Sequence, residues 1–211
     1  MKIFITGGLG YIGSHTAVLL LNSGHDIVIL DNLSNSKKST IKRIKKLTNK
    51  NFNFYEGDIN DRNLVGKILH YFKPDHVVHF AGLKSVSESI VMKKKYFENN
   101  VMGSKNLFLE MEKNNINSII FSSSATVYGN TTQEPISELS PLSPINPYGE
   151  NKVAIENLLS EMHVKKKWSI CILRYFNPTG AHSSCLLGEE ISGQSPNLMP
   201  NICKSLLSKD F

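Results

Sequence analysis

Cysteine is scarce in this chain and tryptophan scarcer: 211 residues hold three of the first and one of the second. Cys171, Cys185 and Cys203 are odd in number and have no metal-ligand spacing, which argues against a disulfide framework and a cysteine-built metal site. Reduced thiols in the cytoplasm are the expectation, with no metal. No apolar run approaches the roughly 20 residues a membrane helix needs. The chain opens directly on the strand-like KIFIT with no leader pattern, so no membrane partner is expected. Repeats and low-complexity segments are also missing. Acid is in the minority, with 18 Asp and Glu against 24 Lys and Arg, a net charge of +6. The bases gather in KKSTIKRIKK (37–46), KKK (93–95) and KKK (165–167). One reading is a nucleic-acid surface. The other, preferred here, is solvated helix faces, because the clusters fall in three different helical segments without interleaved aromatics to stack bases. No nucleic-acid partner is expected.

What the sequence does have is the profile of an ordinary globular protein, 40% hydrophobic and 20% charged. Six short β-rich runs, at 2–6, 26–30, 52–56, 76–81, 118–123 and 168–176, alternate with helical stretches near 11–23, 37–48, 61–72, 88–114 and 148–166. Most of the runs are continuously apolar, as strands covered on both faces are. The alternation predicts an α/β fold with a doubly wound, mostly parallel sheet. Past residue 177 the pattern gives way to a Gly/Ser/Pro-rich stretch, 178–197, and a short helical segment, 198–209. Residues 1–177 are expected to form the dinucleotide-binding domain, and 178–211 the incomplete start of a substrate region.

The first strand runs into TGGLGYIGSH (6–15), in which Gly7, Gly10 and Gly13 are spaced as a phosphate-binding turn requires. Glycines there allow the tight turn, the close approach of a pyrophosphate and the packing of helix on strand. The helix that follows offers unpaired N–H groups and its positive dipole end. Asp31 ends the second strand 18 residues past Gly13, where an acid bonds both ribose hydroxyls of NAD and repels the extra phosphate of NADP. Lys37 and Lys38 leave NADP a small opening. Asp58, after the third strand, has two readings: it meets the adenine edge with Ile59 packed on the ring, or it caps the next helix. HFAGLKS (79–85) puts Gly82 in a turn beside the cofactor, and Lys84 either reaches a phosphate or ribose or is a surface lysine.

The other end of the cleft is foreshadowed by SSSATVYG (122–129) and YGENK (148–152). A helix starting after Pro147 sets Tyr148 and Lys152 one turn apart on one face. The ordinary phenol value near 10 makes tyrosine a poor base at neutral pH. A nearby ammonium and a positive nicotinamide ring are expected to favour phenolate, and a strand-five serine hydroxyl to share the proton. Such a set removes a proton from an alcohol while hydride leaves the same carbon.

These stretches, together with LDNLSNS, EGDI, the asparagines at 99–100, LRYFNPTGAH and NLMP, resemble the extended short-chain dehydrogenase/reductase family, and within it the UDP-hexose 4-epimerases. The resemblance runs over essentially the whole chain, and it implies a Rossmann domain, NAD as cofactor, and interconversion of UDP-glucose and UDP-galactose in galactose metabolism. It implies that Gly10, Tyr11, Ile12 and Gly13 meet the pyrophosphate, and that Asp31, Asn32, Leu33, Ser34 and Asn35 surround the adenosine ribose. Asp58 and Ile59 would meet adenine, and Phe80, Ala81, Gly82, Lys84 and Asn99 would line the channel. Tyr148 would be the proton acceptor, Ser124 its hydroxyl partner, and Lys152 the holder of the nicotinamide ribose. Ser124, Ala125, Thr126 and Lys84 would face the sugar side, with Tyr175 and Phe176 closing on the nicotinamide. Asn177 would reach the substrate phosphate, and Asn197 and Leu198 would begin the uridine site. It also implies a homodimer through helices 88–114 and 148–166. Family members run longer than this chain, so the substrate half is expected to be cut off. Two other readings stay open: a nucleotide-sugar 4,6-dehydratase, against which the lack of an acid pair after Ser124 counts, and a non-catalytic NAD-binding module.

Overall fold

The computed structural model describes residues 1–131, 134–189 and 198–208. Among them the chain forms six strands, β1 (Lys2–Thr6), β2 (Asp26–Asp31), β3 (Asn53–Glu56), β4 (His76–His79), β5 (Ser118–Ser124) and β6 (Ser169–Tyr175). The helices are α1 (Tyr11–Asn22), α2 (Ser39–Thr48), α3 (Arg62–Phe72), α4 (Val86–Val91), α5 (Lys93–Tyr96), α6 (Gly103–Lys113), α7 (Pro147–Lys166) and α8 (Leu198–Ser208). All neighbouring strands pair in parallel, in the order β3-β2-β1-β4-β5-β6. The doubly wound sheet expected from the alternation is therefore present, and its order reverses between β1 and β4.

Alternation within each strand explains the continuous apolar runs. Phe4, Val28, Leu30, Val77 and Phe121 face the layer of α3, α6 and α7, with Leu107, Phe108, Ile155 and Trp168 in the same core. Ile3, Ile5, Ile27, Ile29 and Val78 face the layer of α1 and α2. Neighbouring residues of one strand thus enter two different cores. The edge strands depart from the pattern: β3 is largely exposed, and β6 leaves Cys171 and Leu173 outward. Phe108 is 1% exposed and packs edge-on against both Trp168 and His79. Phe108→Ala should cost about 3–5 kcal/mol, read as a lower midpoint with unchanged slope in urea unfolding.

The single helix expected over 88–114 is a correction. α4 ends at Val91, and the φ of −115° and ψ of 44° at Met92 just beyond it break the ladder, with neither proline nor glycine there. α5 then runs into a π-helical turn, Phe97–Met102, before α6 resumes the α-helical spiral. No helix among the described residues is long and apolar enough to cross a membrane. The lysine clusters lie on and just before α2, on α5 and at the end of α7, where Lys38 pairs with Glu56, Lys95 with Glu88 and Lys165 with Glu161.

Candidate active site and dinucleotide cleft

One cleft opens at the carboxyl ends of the strands, where the order reverses, as open α/β sheets favour for ligands. At its base Gly7, with φ +67°, donates its N–H to Leu30 O at 2.8 Å. A Cβ on Gly13 would lie 2.3 Å from Gly7 O, so α1 can sit on this loop only because that residue is glycine. Gly10 begins α1, whose first turn has no side-chain cap. Its leading N–H groups therefore open on the cleft, where Tyr11 and Ile12 also line the wall.

Asp31 is buried. Oδ2 accepts from Leu9 N at 3.0 Å, and Oδ1 from Leu33 N at 3.0 Å and Ser36 Oγ at 2.8 Å. The residue singled out for a ribose is thus also the brace between the glycine loop and the turn after β2. Oδ2, with one donor, keeps acceptor capacity toward the cleft that Asp31 lines. Asn32, Ser34, Asn35 and Lys37 line the same end. Leu33 does not: at φ +59° its side chain turns to the α1–α2 core. Asp58 lines the cleft and is held by Asn32 Nδ2 at 2.7 Å and by Asn60 N at 2.9 Å. The alternative role as a helix cap falls to Asp61, which accepts from Leu64 N. Ile59 is 5% exposed, with an edge on the cleft and its tip against Gly103.

Phe80, Ala81, Gly82, Lys84 and Asn99 line the middle. Asn100, next to the expected Asn99, was missed. It is buried, and its amide accepts from Leu83 N at 2.8 Å and donates to Leu83 O at 2.9 Å, fixing the loop after β4. Adjacent asparagines in one helical stretch give no sequence signal that separates the two roles. His79 was missed as well. It bonds Thr6 Oγ1 at 2.6 Å and Ser104 Oγ at 2.9 Å beneath the cleft, and burial, helped by the Lys152 charge, pushes its pKa down to about 3.

Residues 178–189 return across this cleft. Tyr11 donates its hydroxyl to Gly180 O at 2.6 Å, the His15 and His182 rings meet, Leu187 is buried in the α1–α2 core, and Lys84 pairs with Glu189 at 3.2 Å.

At the opposite end Asn146 caps α7 through Gly149 N, Pro147 occupies the first turn, and Tyr148 and Lys152 follow on one face. Lys152 Nζ donates to Ser122 O at 2.6 Å and lies 4.8 Å from the Phe121 ring centre and 5.6 Å from that of Tyr148. Burial pushes the lysine pKa down to about 8, opposed by Glu156. Tyr148 departs from expectation. Burial holds its phenol above the ordinary value, and a hydrogen bond with Ser124 opposes this. The ammonium reaches the ring and Ser122 O, so the lowering expected of Lys152 is not seen in the protein alone. Ser124 and Thr126 line the cleft with Tyr175, Phe176 and Asn177. Ala125 is outside the lining, because the chain turns at Ser124 into a 3₁₀ turn, Ala125–Tyr128. Leu198 is 73% exposed on α8 and does not line the cleft; Asn197 falls outside the described residues. No group of three or more metal-ligating side chains occurs among the described residues.

This arrangement defines a class: a Rossmann-type sheet carrying a tyrosine–lysine pair with a serine hydroxyl at one end of a dinucleotide-shaped cleft. The chain belongs to the NAD dependent epimerase/dehydratase family, whose model matches residues 3–208. It is 48% identical to a UDP-glucose 4-epimerase of Bacillus subtilis and 47% identical to one of Neisseria meningitidis, over 99% of this chain and 62% of each relative. Among solved structures, a Stenotrophomonas maltophila UDP-glucose-4-epimerase with bound NAD and formylated UDP-arabinopyranose superimposes with a TM-score of 0.97 at 41% identity. One from Bifidobacterium longum in complex with NAD+ and UDP gives 0.95 at 41% identity. Each superposition covers 99% of this chain, and 62% and 63% of those chains. The chain thus spans less than two thirds of the length of these relatives.

Proposed function

We propose that this chain carries the cofactor and acid–base half of a UDP-hexose 4-epimerase, which interconverts UDP-glucose and UDP-galactose with NAD. The observation that carries the reading is the Ser124, Tyr148 and Lys152 set at one end of a cleft whose other end is built by Gly7, Gly10, Gly13 and Asp31. The glycine loop fits the cofactor: only Gly7 O, at 3.4 Å, would come within 4 Å of a Cβ on Gly10. Bound there, NAD supplies the acceptor and then the donor of a hydride at C4 of the sugar. The protein's share is the proton. Tyr148 takes it from the C4 hydroxyl and Ser124, whose hydrogen bond lowers the phenol's pKa, shares it, while the positive nicotinamide ring would add to the charge favouring the phenolate once NAD is bound. Its return after the 4-keto sugar presents its other face completes inversion. Residues 178–189, laid over the glycine loop, support a cofactor that stays bound between the two half-reactions.

Residues 1–177 form the cofactor unit in this reading, and 178–211 begin the nucleotide-sugar region. A homodimer through 88–114 and 148–166 is supported by Val91, Phe97, Met102 and Val164, all apolar and outward on those helices. The three exposed, unbridged cysteines suit a reducing compartment such as the cytoplasm. The test is conversion of UDP-galactose to UDP-glucose by the purified chain with no nicotinamide added, with NAD assayed in the supernatant of denatured protein. Absence of both turnover and NAD would overturn the reading. Turnover should also fall on the alkaline side with a midpoint near 8. Lys152 titrates there, so its ammonium is present below that pH and lost above it. A rate flat to pH 10 would contradict this assignment.

A further inference from the structure

The acid–base pair does not stand alone on α7. Tyr148, Lys152 and Glu156 succeed one another at one-turn spacing, and Glu156 is 5% exposed. Its Oε1 accepts from Ser123 Oγ at 2.5 Å and from Arg174 Nε at 3.2 Å, and its Oε2 accepts from Arg174 Nη2 at 2.8 Å. Ser123 and Arg174 are register partners on β5 and β6, so both strands reach one carboxylate from the same sheet face. Arg174 continues to Tyr128 Oη at 2.9 Å and Glu138 O at 3.0 Å. Ser123 sits between Ser122, whose carbonyl receives Lys152, and Ser124, the hydroxyl beside Tyr148. The acceptor of Lys152 and the hydroxyl beside Tyr148 therefore flank a residue of β5 that is itself tied to Glu156.

A buried carboxylate that merely paired with Arg174 would need no place on the Tyr148–Lys152 face. We propose that Glu156 is a positioning residue for that pair, keeping Lys152 charged in its desolvated site and fixing the register of α7 against the end of β5. This rests on the acid–base role given to Tyr148 and Lys152 above. The groups around Lys152 come from every element packed near it. On α7 they are Glu156 and the Tyr148 phenol, and from β4 the neutral His79. From β6 come Arg174, at one remove behind Glu156, and Tyr175, which lines the same cleft; β5 offers only the Ser122 carbonyl and the Phe121 ring. From the π-helical turn, Asn99 lines the cleft without charge, and Glu98 faces Lys94. On α4 and α5, Glu88 is committed to Lys95 and Tyr96. Glu156 is therefore the anion that offsets the burial of the ammonium.

The test is the titration of Lys152 itself, read from the ¹³Cε resonance of lysine-labelled protein and assigned as the signal lost in Lys152→Arg. The parent midpoint is expected near 8. In Glu156→Gln it should fall by about one pH unit or more, since the anion is lost while the Arg174 charge stays. In Glu156→Gln/Arg174→Met, which removes both charges and guards against a single variant too unstable to fold, it should fall by less. A midpoint unmoved in folded Glu156→Gln, or in the double variant where the single does not fold, overturns the proposal. A purely structural Glu156 would lower the melting temperature of both variants and leave the midpoint in place. The measurement needs neither turnover nor added sugar nucleotide, so failure of the epimerase reading is seen separately in the conversion assay.

Discussion

Tyr148→Phe should lower conversion of UDP-galactose by about 10²–10⁴-fold while the folded chain and its NAD content stay as in the parent. The variant removes one oxygen and keeps the ring over which Lys152 lies, so packing at the start of α7 is preserved. What goes is the group to which the proposed reaction assigns the C4 proton. Ser124 does not replace it, because an aliphatic hydroxyl has neither a cation above it nor an accessible ionised form. The stability cost should be about 1 kcal/mol, the usual contribution of one hydrogen bond. Turnover and bound NAD measured on the same preparation decide the matter. A variant retaining a tenth or more of the parent rate would remove Tyr148 from the proton path.

The second large effect is expected at the other end of the cleft, from one methyl group. In Gly13→Ala the new Cβ meets Gly7 O at 2.3 Å and Gly8 Cα at 2.8 Å, both backbone atoms of the loop that would hold the pyrophosphate. The loop or α1 must move, at a cost of about 1–3 kcal/mol, and dinucleotide affinity should fall at least about 100-fold, since N–H groups aimed at a phosphate tolerate little displacement. Gly10→Ala makes the informative companion. Its Cβ finds only Gly7 O, at 3.4 Å, so the fold should keep its melting temperature. The methyl instead occupies the approach to the phosphates, and affinity should still drop. Calorimetric NAD titration beside thermal melts separates the two cases. Equal melting temperatures for both variants would mean that the loop is softer than its contacts indicate.

The sequence announces the two ends of the cleft because both depend on local chemistry. Glycines at fixed spacing after an apolar run, an acid at the end of the second run, and a tyrosine and lysine one turn apart are each written within a short stretch. Residues that depend on the assembled sheet leave no such trace. Glu156 reads as one more charged residue on a helix, and Arg174 as a polar interruption of a strand. Only the parallel pairing of β5 with β6 brings Ser123 and Arg174 to it. Asp31 was legible as an acid facing the cleft but not as the brace of Leu9 and Leu33, which needs the turn geometry on both sides. Asn100 and His79 likewise act across elements far apart in the chain. The break at Met92 has no local signature, because no residue there is a helix breaker by type; the short α4 before it packs against α7.

The π-helical turn at Phe97–Met102 has a consequence for how this stretch can vary in length. Such a turn is an α-helix carrying one surplus residue. Here it lets consecutive asparagines serve opposite sides, Asn99 toward the cleft and Asn100 inward to Leu83. Excising one residue between 97 and 102 would remove that surplus and leave an unbroken α-helix whose flanking parts keep their phase, whereas the same excision within α6 would swing everything beyond it by about 100° about the axis. Gly103 would stay against Ile59, and Leu107, Phe108 and Met111 in the core that they fill, while the consecutive asparagines could no longer serve opposite sides. A single-codon deletion is therefore expected to spare the core here and to fall on the cleft wall, while one inside α6 would unseat the core.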